Sequence, residues 1–162
     1  MDVSIVERRI KKFKLPNKST LIVHVNVLHQ FEKYRQAEKY TPESGGFLLG
    51  YQNSNNDSIL LDNITLPQSE DNQGLVSFLL NDKKHFQKLD EFRKEGSYFI
   101  GTWHTHPQDF VNPSLTDRND WKKSIKHEKS AADFMIFIIV GRKEIGVWVG
   151  NENQKILRIR EG

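Results

Sequence analysis

Gly101-Thr-Trp-His-Thr-His-Pro-Gln-Asp-Phe-Val-Asn-Pro-Ser-Leu-Thr-Asp-Arg-Asn-Asp-Trp121 is the stretch around which the chain is organised. The residues that lead into it, Tyr98 to Trp103, read as a buried strand that runs up to two histidines. Positions i and i+2 of a strand face one side, so His104 and His106 can converge on one point while Thr105 faces away. Pro107 cannot donate to a ladder and stops pairing just after them. Ser114-Leu-Thr-Asp117 has the form of a helix N-cap with an acidic residue at N3. A strand end and a helix start thus gather two imidazoles, a carboxylate and a hydroxyl. Two nitrogens and one carboxylate oxygen are the three-ligand set of a catalytic zinc site, with a fourth position left for water. Zinc lowers the pKa of that water from about 16 to roughly 7, which makes hydroxide available at neutral pH. His-x-His alone often marks two surface histidines, and Ser-x-x-Asp alone is usually a capping box. The combination, with seven residues between His106 and Ser114, carries the metal reading of His104, His106 and Asp117.

Working outward, the 162 residues suffice for one domain, 1–162, with a real core. Hydrophobic residues at 36% and charged residues at 28% describe an ordinary soluble globular protein. No apolar run is long enough to span a membrane, and Met1 to Pro16 lacks the apolar core of a signal peptide, so a cytoplasmic location is expected. The chain has no cysteine, which excludes disulfides, thiolate zinc sites and the Cys-x-x-Cys site of nucleoside deaminases. Any metal must be held by histidine and carboxylate. The formal charge of +3 and pI near 9.0 could attract nucleic acid or steer an acidic protein partner. With no aromatic platform or basic helix beside it, nucleic acid is not the expected main partner.

In chain order, Ser4 to Lys14 suggests an edge strand and Leu21 to Val25 a second strand. Asn26 is expected to cap a helix that runs to about Lys39. Asn53 to Asp57 reads as a hairpin turn before a strand over Ser58 to Leu66. A polar loop is expected over Pro67 to Gly74, and a short strand over Leu75 to Leu80. A helix from Asp82 to about Lys94 should turn Phe86, Leu89 and Phe92 inward, with His85 a surface residue. Ser114 opens a helix to about Glu128 with Trp121 and Ile125 on its packed side. Phe134 to Val140 is wholly apolar, as expected of a central strand covered on both faces. Glu144 to Gly150 and Lys155 to Arg160 close the chain as strands.

The second informative stretch is Thr41-Pro-Glu-Ser-Gly-Gly-Phe-Leu-Leu-Gly-Tyr51. Its glycines Gly45 and Gly46 allow close backbone approach, and Phe47-Leu-Leu49 enters the core as a strand. Glu43 stands at the mouth of that strand. A zinc hydrolase needs a base for the water's proton and an acid for the leaving amine, and one glutamate can serve as both.

Glu43, His104-x-His106-Pro107 and Ser114-x-x-Asp117 together resemble the JAB/JAMM metalloproteases, the catalytic branch of the MPN domain family. The likeness covers nearly the whole chain, from Glu43 to Gly141. Within the family, Gly-x-Trp-His-Thr-His-Pro, then Pro-Ser-x-x-Asp, then Trp121 most resemble small bacterial members found with antiphage CBASS operons. That resemblance implies a single-domain α/β (α+β) fold, a mixed sheet flanked by helices with cytidine-deaminase-like layering. It implies zinc on His104, His106 and Asp117, Glu43 as acid/base, and Ser114 as donor to the oxyanion. The implied reaction is hydrolysis of the bond between the C-terminal tail of a ubiquitin-like or conjugated protein, such as a CBASS nucleotidyltransferase, and its target. The implied partners are that tail, extended beside the cleft and paired to a strand, and an operon-encoded activating or conjugating enzyme. Other readings are a JAMM peptidase for sulfur-carrier, phage or repair proteins, and a non-catalytic MPN scaffold. A scaffold has no physical reason to keep all five site residues.

Overall fold

Met135 to Val140 alternates its side chains between two faces of a sheet, and both faces are covered. Ile136, Ile138 and Val140 enter one apolar cluster with Trp103, Val27 and Phe31. Met135, Phe137 and Ile139 enter a second with Val111, Trp121 and Trp148. This two-sided burial is what the unbroken apolar run predicts.

The computed structural model describes residues 10–36, 38, 41–67, 72–73, 78–79 and 84–162. Their elements are β1 (Lys11–Lys14), β2 (Thr20–Val23), α1 (Val25–Tyr34), β3 (Gly45–Gln52), β4 (Ile59–Ile64), β5 (Asn72–Gln73), β6 (Phe78–Leu79), α2 (Lys84–Lys94), β7 (Tyr98–Thr105), α3 (Leu115–His127), β8 (Met135–Val140), β9 (Ile145–Asn151) and β10 (Gln154–Ile159). Eight strands form one mixed sheet in the order β1-β2-β4-β3-β7-β8-β9-β10, and β5 pairs with β6 in a separate ribbon. β2–β4 and β7–β8 are parallel, and the other neighbours are antiparallel. α3 is the crossover that a parallel β7–β8 pair requires. The two ends of the sheet meet: Lys14 N donates to the Arg160 carbonyl and Gly162 N to the Lys12 carbonyl. That contact covers backbone groups that an open edge would expose.

α1 packs on one face of the sheet through Val27 and Phe31, whose ring lies 5.3 Å from Trp103. α3 packs on the other through Trp121, stacked on Phe137 at 4.9 Å and 17°. A buried bulge at Ile100 shifts the β3–β7 register from Leu48↔Gly101 to Leu49↔Phe99. Gly46 is required by close approach, since a Cβ there would lie 2.2 Å from the Thr65 carbonyl oxygen.

Several expectations need correction. α1 begins two residues earlier than predicted, because His24 rather than Asn26 caps it: its Nδ1 accepts from Asn26 N at 3.1 Å. It stops at Tyr34, well short of Lys39, because Gln36 is drawn fully into the interior as a hydrogen-bonding group. The predicted loop over Pro67 to Gly74 contains β5. Residues 68–71 and 74 of that loop, most of the Leu75 to Leu80 strand, the Asp82 cap and the segment before Ile10 lie outside the described residues. The inward face of α2 is shifted: His85 is fully buried, Leu89 and Phe92 are half-buried, and Phe86 is 57% exposed. The polar Thr65 hydroxyl beneath α2 explains the shift, because it lies 2.8 Å from His85 Nδ1 and also accepts from Phe47 N. A phenylalanine could not satisfy it.

Candidate metal centre

The site forms where the N-terminal end of β3 meets the C-terminal end of β7. Gly45 pairs with His104, and Thr105 N donates to the Ser44 carbonyl at 2.9 Å. Continuing that antiparallel register sets Glu43 opposite His106. His106 itself is fixed to β8, its N–H donating to the Val140 carbonyl at 3.0 Å. The third element is α3. Trp121 is anchored against Phe137 and Trp148, and Asp117 lies one turn before it on the same helix face.

The four side chains meet closely. His104 Nε2 and His106 Nε2 are 3.1 Å apart. Asp117 spans both, with Oδ1 at 3.3 Å from His104 Nε2 and Oδ2 at 3.2 Å from His106 Nε2. Glu43 Oε1 lies 3.7 Å from His106 Nε2. Tetrahedral ligands on an ion with bonds of about 2.0–2.1 Å sit roughly 3.3 Å from one another, so the spacing of both imidazoles and Asp117 fits a single ion. Glu43, His104 and His106 also form a compact donor group, with their ligand atoms within 4.8 Å of one another. Glu43 Oε2 is buried and has no hydrogen-bond partner among the described residues.

The electrostatics separate the two carboxyl groups. Burial raises the pKa of Glu43 to about 7, partly opposed by His106 and reinforced by Asp117. Burial acts in the same direction on Asp117, but hydrogen bonds from His104 and His106 outweigh it and hold that carboxyl well below the usual range. Asp117 is thus a permanent anion and Glu43 a proton-exchanging group near neutrality. On His106, burial favours the neutral ring, yet hydrogen bonds to Asp117 and Gln108 and the two nearby carboxylates raise its pKa overall.

Two positioning groups escaped the sequence reading. Gln108 Oε1 lies 3.1 Å from His106 Nδ1 and accepts from Asn112 N at 3.2 Å. A carboxamide oxygen only accepts, so His106 Nδ1 holds a proton toward Gln108, which leaves Nε2 as the nitrogen that would ligate a metal. Thr105 lies between the histidines and faces away. Its buried hydroxyl accepts from Ser44 N at 2.9 Å and donates to Gln36 Oε1 at 3.0 Å. Gln36 Nε2 in turn donates to the Thr41 carbonyl. The segment that carries Glu43 is thereby tied to the strand that carries the histidines. Nothing in the one-letter pattern marks either group, because each depends on a partner far away in sequence or on loop geometry.

Ser114 is the N-cap of α3. Its Oγ accepts from Asp117 N at 3.0 Å, and its own N–H donates to Asp117 Oδ2 at 2.8 Å. The capping box therefore also aims the Asp117 carboxylate.

The chain matches, over residues 25–157, the family described as prokaryotic homologs of the JAB domain. It is 29% identical over 150 residues to a CD-NTase/cGAS isopeptidase of Vibrio cholerae, covering 91% of each chain. It is 31% identical over 135 residues to a CD-NTase/cGAS isopeptidase of Escherichia coli, covering 82% of this chain and 81% of that one. Its fold is similar to the solution structure of a Desulfitobacterium hafniense protein, at a TM-score of 0.57 and 17% identity, over 86% of this chain and 88% of the other.

Proposed function

Because the chain belongs to the family of prokaryotic homologs of the JAB domain, we propose that it is a zinc-dependent isopeptidase. Its substrate is a protein conjugated through its C-terminal tail, with the nucleotidyltransferase of a CBASS system as the leading candidate. The observation that carries this reading is the cluster of His104 Nε2, His106 Nε2 and Asp117 within 3.3 Å, backed by the buried Glu43. Two relatives named CD-NTase/cGAS isopeptidase support the substrate class.

His104, His106 and Asp117 would hold the zinc, which supplies an acidified water and polarises the scissile carbonyl. Glu43, with its unpartnered Oε2, takes the water's proton and later gives it to the leaving amine. Gln108 and Asp117 fix the His106 ring. The Ser114 hydroxyl, which caps α3 through its lone pair, donates a hydrogen bond to the oxyanion that develops on the carbonyl. β3 and β7 are each paired on both sides. A substrate tail that gains main-chain hydrogen bonds must therefore do so on another strand or loop. Among the described residues no helix is long and apolar enough to cross a membrane.

The test is cleavage of a CD-NTase from the same organism, fused through its C-terminal residue to a reporter protein. Mass spectrometry should find a cut at the junction. Cleavage should stop with a zinc chelator and return on adding zinc. A cut elsewhere, or one that persists in chelator, overturns the reading.

Thr105 provides a finer prediction. Thr105→Val keeps the shape but leaves Ser44 N and Gln36 Oε1 without their buried partner, at a cost of about 1–3 kcal/mol for each unsatisfied group. Glu43 loses its tether, and a misplacement of about 1 Å can cost about 100-fold in rate. Turnover should fall by about 10- to 100-fold with zinc content unchanged, and Thr105→Ser should recover most of it. Wild-type turnover in Thr105→Val would show that the clamp does not position Glu43.

A further inference from the structure

A concavity of about 750 Å³ lies outside the cluster, between α3 and the β9–β10 hairpin. Its floor includes Ile125 and Ile156, both half-buried against the Trp121 cluster. Its walls carry Arg118, Lys122 and Lys126 from α3 and Lys155 from β10, all exposed. Glu152 is the one acid among the lining residues.

The three α3 cations stand at i, i+4 and i+8, so they form one stripe along the helix. Like charges so placed repel one another. None of the four cations takes part in an ion pair among the described residues. Arg142, Lys143 and Arg158, by contrast, are each paired with Asp109 or Glu144. The stripe begins at Arg118, the residue after Asp117, so the groove leads away from the metal cluster along the same helix. Leu115, 75% exposed at the start of α3, lies on the same helix face at the site end.

We propose that this groove docks an extended acidic segment, with interspersed apolar residues, of the conjugated protein. Calling the occupant a substrate rests on the isopeptidase reading above. The charge pattern selects an anion. The apolar floor selects one that also carries aliphatic side chains. The distance from Arg118 to Lys126, eight residues of helix or about 12 Å, matches roughly four residues of extended peptide. A single-stranded nucleic acid fits less well, because among the described residues no aromatic ring lines the groove to stack a base. The groove would add affinity and choice of partner without touching the reacting atoms.

The experiment measures binding alone, by fluorescence anisotropy, using the full chain and a labelled short peptide of alternating glutamate and leucine. Lys122→Glu/Lys126→Glu should weaken binding by about tenfold or more, and Lys155→Glu on the opposite wall should weaken it independently. Rising salt should weaken it in wild type, and a lysine–leucine peptide should not bind. Failure of the acidic peptide to bind, equal binding by the variants, or tighter binding of oligothymidylate would each overturn the proposal. Because no cleavage is read, peptide binding by a chain that fails to cut the fusion protein would retain the docking groove while removing the isopeptidase reading.

Discussion

Glu43→Gln is expected to cut turnover by about 10²–10⁴-fold while leaving the fold and the bound metal in place. The carboxyl is 1% exposed, stands 3.7 Å from His106 Nε2 and has an unpartnered Oε2. An amide fills the same space but cannot take a proton, so uncleaved conjugate should accumulate on the variant. Near wild-type turnover would remove Glu43 from the chemistry. The metal-free protein offers a second readout. Burial raises the folded pKa from 4.5 to about 7. The stability contributed by the protonated carboxyl is therefore fully present below the unfolded value and lost as pH rises through the folded one. Metal-free wild type and Glu43→Gln should melt most similarly at low pH. Wild type should fall progressively below the variant as pH rises from about 4.5 to about 7, and the gap should level off above that. A gap that stayed constant over that range would contradict the buried, proton-exchanging carboxyl.

His104→Ala should reduce activity to the uncatalysed background. His104 is one of two imidazoles that converge with Asp117 within 3.3 Å, and two remaining donors are a poor site for a three-ligand catalytic ion. The fold should survive, because β7 is held by its β3 and β8 neighbours through main-chain bonds. Circular dichroism like that of wild type together with background turnover is the expected pair of results. Substantial turnover in a folded His104→Ala protein would mean that the histidine is not needed for the reaction.

The gathering of the candidate site's side chains was legible in the sequence because it rests on residue types that few other roles select, at spacings set by local geometry. A strand brings His104 and His106 to one side by its period of two, and a capping box orients Asp117 within four residues. Trp121 and the Met135–Val140 strand were legible for a similar reason, since apolar periodicity reports burial directly. What escaped depends on distant partners. Gln36 is a polar residue following a helix, and one of the partners that hold it in the interior, Thr105, lies 69 residues away in sequence. Hydrophobicity alone favours Phe86 over His85 for the inward face of α2, and the Thr65 hydroxyl that His85 meets lies on another segment. Gln108 orients His106 from a loop whose course the sequence does not encode in any periodic signal. The basic stripe of α3 reads as an ordinary solvated helix face until β10 is found to form the opposite wall.

Whether the cluster is a metal centre is tested most directly by counting zinc in the purified protein. Elemental analysis should find one zinc per chain in wild type and in Glu43→Gln, and none in His104→Ala, His106→Ala or Asp117→Ala. Wild type prepared in zinc-replete medium with no zinc, or His104→Ala that still holds one zinc per chain, would contradict the assignment.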